Sequence, residues 1–200
     1  MDKRDVALHA TLPSVAVPRF GPLELPLQPC DRILIASNGV FIESFRRWGH
    51  FIRQVGSLGP VVVPYGVCQP TTTLTSGKLP RELLHAFNAH ADKTPDVEVG
   101  GSIIWNENTK QYRLALSKSL ASSGSHLKQE VANLDAGEHL VIDCHSHAHH
   151  HAFFSAQDDQ DDRGATKFAY VVGNCNRPTQ STAMRLCVKG VFESFGPGQT

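Results

Sequence analysis

The 200-residue sequence has no net charge, with Lys plus Arg and Asp plus Glu at 19 each. That balance removes any global attraction to nucleic acid or to an anionic membrane surface. It contains no apolar run of about eighteen residues, so no membrane-spanning helix is expected. The start, Met1-Asp-Lys-Arg-Asp5, is charged and is followed by no apolar h-region, which argues against a secretory signal. Cysteine is sparse and scattered, at Cys30, Cys68, Cys144, Cys175 and Cys187. The number is odd and no C-x-x-C occurs, so a disulfide framework is not expected and reduced thiols in the cytoplasm are the natural reading. There is no internal repeat, and no low-complexity tract beyond a histidine cluster at His149, His150 and His151.

The chain does contain enough apolar residues, 40%, to bury a core, and its length suggests one domain with an extension. Pro13, Pro18, Pro22, Pro26 and Pro29 make residues 1–30 read as a flexible leader without regular helix. Arg32–Ser37 and Val40–Phe45 flank Asn38-Gly39, a hairpin signal, so residues 31–73 read as an N-terminal β-hairpin extension. The polar stretch Thr71–Ser76 reads as a linker. Pro80 suits a first helical position, and Leu79, Leu83, Leu84, Phe87 and Ala91 form a helical stripe. Gly100–Trp105, Gln111–Leu116, His139–His147, Phe168–Val172 and Ala183–Val188 read as strands. Ser117–Gly137 is polar and reads as an irregular loop with a short helical turn. One helix among several mixed strands predicts an α+β domain over residues 74–200.

The chemistry concentrates in Ile142-Asp-Cys-His145-Ser-His147, followed after seven residues by Ser155-Ala-Gln-Asp158. Two histidines one residue apart on a strand face the same side. A carboxylate eleven residues further on can fold back as a third ligand. Two imidazoles and one carboxylate suit zinc, with a fourth position left for water. Ser155 and Asp158 have a second, compatible reading as a helix N-terminal cap. Asp159, Asp161 and Asp162 read as a solvated acidic first turn, since a calcium loop would need Gly and Glu at positions that lack them. Cys144 alternates with the histidines and reads as core. His149, His150 and His151 read as an exposed polar loop, with auxiliary metal or substrate contact as the alternative.

This H-x-H-x7-S-x-x-D pattern resembles the JAB/MPN family of zinc metalloproteases, also called JAMM. That family places a Glu some tens of residues upstream, after a helix. Pro95-Asp-Val-Glu98-Val-Gly100 matches that context, 47 residues before His145. The order of elements over residues 74–192 also matches, implying a mixed β-sheet flanked by helices. Ala152-Phe-Phe-Ser155-Ala-Gln-Asp158-Asp159, Val171-Val-Gly-Asn174 and Asn38-Gly-Val-Phe-Ile-Glu43 resemble a bacterial branch called PRTRC system protein A. Its cassettes also encode a ThiF-like activating enzyme. One departure stands out: the family often has Pro after the second histidine, and here Ala148 takes that place.

The resemblance implies Zn2+ held by His145, His147 and Asp158, Glu98 as proton shuttle, and Ser155 as donor to the oxyanion. The implied reaction is cleavage of a peptide or isopeptide bond at the C-terminus of a ubiquitin-like protein, with the ThiF-like enzyme as a further partner and neither nucleic acid nor membrane involved. A catalytically silent scaffold of the same fold is the alternative. Asp143-Cys-His145-Ser-His147 also resembles the opening of amidohydrolase-type barrels, but only 53 residues follow His147 and none after His151 is histidine, too little for a barrel.

Overall fold

The computed structural model describes residues 2–117 and 133–195. The chain divides into two compact units, Met1–Thr75 and Ser76–Thr200.

The first unit is built on a five-stranded sheet ordered β1-β2-β3-β4-β5. It opens with helix α1, Lys3–Thr11, where the Asp2 side chain caps the Arg4 amide. Strand β1, Ser14–Ala16, then runs parallel to β2, Cys30–Ala36. The expected leader therefore contains a regular helix and a strand. Every one of its prolines lies after α1, where none can break it, and Asp2 supplies the missing start signal. Val17, just past β1, joins Leu34, Ala36, Phe41, Ile52 and Cys68 in a buried cluster.

Strand β3, Gly39–Arg46, forms the expected hairpin with β2, and Ala36 pairs with Gly39, so the two-residue loop is Ser37-Asn38. The Asn38 side chain is held by both polar groups of the Cys68 backbone. β4, Gly49–Gly56, continues the meander, and β5, Thr71–Leu74, pairs with it. The expected linker at Thr71–Ser76 is thus mostly a strand. Its β-branched threonines suit an edge position with one open side, and their polarity hides the strand from a hydrophobicity reading.

The second unit is a six-stranded sheet ordered β11-β10-β9-β8-β6-β7. Helix α2, Arg81–Asp92, has Pro80 as its N-cap residue, one position earlier than the sequence suggests. It buries Leu84, Phe87 and Ala91. Phe87 lies edge-on to Tyr170, and a Cβ on Gly101 would come within 3.2 Å of the Phe87 ring, so helix and sheet meet closely there. The strands are β6 (Gly100–Asn106), β7 (Gln111–Leu116), β8 (Glu138–Ser146), β9 (Thr166–Gly173), β10 (Ser181–Val188) and β11 (Val191–Phe195). β11 follows a two-residue turn at Lys189-Gly190, both at positive φ as a primed turn requires. The expected helical turn within Ser117–Gly137 falls largely at 118–132, outside the described residues.

β8 and β9 are parallel, and the connection between them carries a short helix, α3, Ala156–Asp162. The register places Asp143, His145, Ala169, Val171 and Arg185 on one sheet face and Cys144 and Tyr170 on the other. α2 packs on the Tyr170 side. α3 packs on the Arg185 side through Asp162. All five cysteines are free thiols. No helix among the described residues is long and apolar enough to cross a membrane.

Candidate metal centre

The site forms where β8 ends beside the N-terminus of α3. Cys144 faces away from it and is fully buried, and burial pushes its thiol well above its ordinary pKa. His145 and His147 face the same way. Their Nε2 atoms lie 3.2 Å apart. Asp158 Oδ1 lies 3.4 Å from His145 Nε2. The three donor atoms all fall within 4.8 Å of one another.

The two spacings to His145 fit a tetrahedral ion. Two ligand atoms each about 2.0–2.1 Å from zinc, at the tetrahedral angle, lie about 3.3–3.4 Å apart. Both imidazoles turn the same ring nitrogen toward the common point, whereas one shared proton could satisfy only a single pair. His145 has its pKa pulled down, chiefly by burial, against the opposing charges of Asp158, Asp143 and Glu98. A neutral ring is the form that coordinates a metal.

Each candidate ligand is fixed by its element. The His147 amide donates to Val172 O at 2.8 Å, pinning the end of β8 to β9. Asp158 sits at the third position of α3, and Ser155 is the N-cap of that helix, in a reciprocal capping box. Asp158 Oδ2 accepts from both the Ser155 amide at 2.6 Å and the Ser155 hydroxyl at 2.7 Å. Oδ1 is thereby left to face His145.

Glu98 is exposed and lies just before β6, where Gly100 pairs with His145. Its neighbour Val99 is locked to Ser146, the residue between the two histidines. Val99 N donates to Ser146 Oγ at 2.9 Å, and Ser146 N donates to Val99 O at 2.8 Å. The middle residue of H-x-H, which sequence reasoning passed over, thus ties the Glu98 segment to the cluster. The charge of Glu98 acts on His145.

The loop from Ala148 to Phe154 departs from the expected family wording in a definite way. Ala148 has φ 48°, a backbone that proline, locked near −65°, cannot adopt. His149 turns aside to pair with Asp96 at 2.7 Å, and His150 and His151 are exposed. Among the described residues only His145, His147 and Asp158 form a cluster that could hold a metal. Phe153 is half-exposed and stacks edge-on against His147, centroids 4.6 Å apart.

The acidic turn is not solvated as expected. Asp162 is buried and bridges Lys167 and Arg185. Asp159 also pairs with Arg185, while Asp161 stays exposed beside Gln157. Arg185 comes from β10, 23 residues beyond Asp162, and Lys167 from the start of β9, so a reading of the acids as a helix turn gave no sign that either cation folds back over them. Asp143, the first acid of the barrel-like reading, pairs with Lys167 instead of joining the cluster.

Comparison with known proteins agrees with this order of elements. Residues 2–75 match a domain of unknown function, DUF2016, which spans the expected leader and hairpin extension together. Residues 80–187 match prokaryotic homologs of the JAB domain, and that match takes in α2, the histidine strand, α3 and β10. No curated protein matches the chain. By that match, over more than half of its length, the chain belongs to the family of prokaryotic JAB-domain homologs.

Proposed function

We propose that this chain is a zinc-dependent hydrolase of peptide or isopeptide bonds. The observation that carries the reading is the convergence of His145, His147 and Asp158 donor atoms within 4.8 Å of one another, with His145 Nε2 at tetrahedral ligand spacing from both His147 Nε2 and Asp158 Oδ1. Zinc held there supplies Lewis-acid activation of a water near neutral pH.

The chain's own groups do the rest. Glu98 takes the proton of the attacking water and passes it to the leaving amine, a role commonly worth about a hundred- to ten-thousand-fold. Ser155 donates to the oxyanion that develops on the substrate carbonyl. Its hydroxyl donates to Asp158 in the structure, so it must rotate to act. The Ser155 amide also bonds Asp158 Oδ2, and that bond keeps the carboxylate aimed while the hydroxyl turns.

The substrate proposed is the C-terminal tail of a ubiquitin-like protein or conjugate, with a ThiF-like activating enzyme as a further partner. Support for this comes from the resemblance of Ala152–Asp159 and Val171–Asn174 to the PRTRC system protein A branch. A second reading is a binding scaffold that does not cleave, favoured by the Ser155 proton being engaged with Asp158 rather than open to a substrate.

The deciding experiment is cleavage of a ubiquitin-like fusion or isopeptide conjugate drawn from the protein's own gene neighbourhood. Wild type should cleave. Glu98→Gln should lose activity by at least about a hundredfold while keeping zinc and thermal stability. A zinc-loaded wild type that binds the partner without cleaving it supports the scaffold.

A further inference from the structure

Asp158 is oriented within its helix by Ser155, but something must orient the helix. α3 has only 7 residues, and its one buried side chain is that of Asp162. A helix this short is not stable through local propensity, and this one has no apolar face with which to anchor. The holding contacts are ionic. Arg185 on β10 directs one guanidinium nitrogen, Nη1, to Asp159, and the other, Nη2, to Asp162 Oδ2 at 2.8 Å. Lys167 on β9 reaches Asp162 Oδ1 at 2.8 Å and also Asp143, two residues before His145 on the metal strand.

The guanidinium is itself fixed. It lies over the Phe154 ring at 4.0 Å and the Phe192 ring at 4.1 Å from their centroids. It therefore touches the residue before Ser155 and the residue after Asp158, bracketing the segment that delivers the third donor atom. Arg185 is 3% exposed, and its Nε–H is buried without a hydrogen-bond partner. Buried ion pairs are weak contributors to stability compared with apolar packing, while removal of one partner is costly. Here the geometry suits fixing an orientation.

We infer that Arg185, backed by Lys167, is the positioning residue for the Asp158 carboxylate. It sets α3 against the sheet so that Oδ1 faces His145 and His147. This rests on the reading that the cluster holds zinc. Lysine does not reproduce this role, because an ammonium offers neither two separate nitrogens in a fixed fork for Asp159 and Asp162 nor a planar face to lie between the Phe154 and Phe192 rings.

The test uses the full chain and reads metal affinity rather than turnover. Zinc Kd is measured by competition with a chromophoric chelator, and Co2+ loading by visible absorption, for wild type, Arg185→Lys, Asp159→Asn and Asp158→Ala. Thermal unfolding of each is followed in parallel. Partners behind a metal ligand commonly matter by about ten- to a hundredfold in affinity. Arg185→Lys should weaken zinc by that range and alter the Co2+ spectrum, even at matched folded fraction. Asp159→Asn removes one arm from a half-exposed rim and should weaken zinc in the same direction. It decides the matter if Arg185→Lys fails to fold. Folded variants with wild-type Kd and spectrum, when Asp158→Ala has lost zinc, overturn the positioning role alone. If wild type and Asp158→Ala bind zinc alike, the metal reading falls and the positioning role falls with it.

Discussion

Ser155 and Asp158 hold each other reciprocally. The serine hydroxyl donates to Asp158 Oδ2 at 2.7 Å, and the Asp158 amide donates back to Ser155 Oγ at 3.2 Å. The same pair is thus both a helix cap and the hinge of a metal-ligand candidate. Local helix chemistry and site chemistry use the same atoms.

Ser155→Ala should therefore cost about 0.5–2 kcal/mol of stability through the lost cap and also weaken zinc binding. Ser155→Thr keeps a hydroxyl at the cap and should restore most of both. Chemical denaturation and zinc competition on the same samples check this. Equal stability and zinc affinity in the two variants would show that the Ser155 hydroxyl supports neither the cap nor the metal site.

The pair also shows what could be read from sequence. His145, His147, Ser155 and Asp158 were legible because strand and helix periodicities fix where near neighbours point. Ser146 was not legible, because its task is to bind Val99 from across the sheet. Arg185 was hidden for the same reason, its partners lying 23 or more residues away, and Lys167 because nothing local marks a cation as buried. In the fold, the β2–β3 hairpin and strands β6 to β10 were legible, whereas β4 and β11, short on continuous apolar pattern, were not. α1 is not apparent in the sequence because a run of prolines follows directly on so short a helix, and β5 because an edge strand of threonines resembles a linker.

Acid should expose the buried ion network. Burial pushes the Asp162 carboxyl up, but Lys167 and Arg185 outweigh this and hold it below its ordinary value. A folded-state value below the unfolded one, about 3.9 for Asp, gives stability that is present above that pH and lost as pH falls through the folded value. Wild type should lose stability on acidification below about pH 4. Asp162→Asn should be less stable at neutral pH and lose less on acidification. Denaturant midpoints across pH measure both, and parallel pH profiles for the two proteins would count against the network.

Gly173→Ala should damage the loop that joins His147 to Ser155. An added Cβ would meet His150 O at 2.3 Å and Ala152 N at 2.4 Å, both backbone atoms that cannot swing away. The expected cost is about 1–3 kcal/mol, together with weaker zinc binding. Gly164→Ala, where a Cβ meets nothing within 4 Å, is the control and should be near neutral in both. A Gly173→Ala protein with wild-type stability and zinc affinity would contradict the close approach.

Metal stoichiometry after mild chelation decides whether His145, His147 and Asp158 hold the ion. Zinc is measured in wild type, in Asp158→Ala, and in a variant with His149, His150 and His151 all changed to Ala. One tightly held zinc is expected in wild type, with its retention in the triple variant and its loss in Asp158→Ala. Loss of the tight zinc in the triple variant with retention in Asp158→Ala would contradict this, by moving the metal to the exposed histidines.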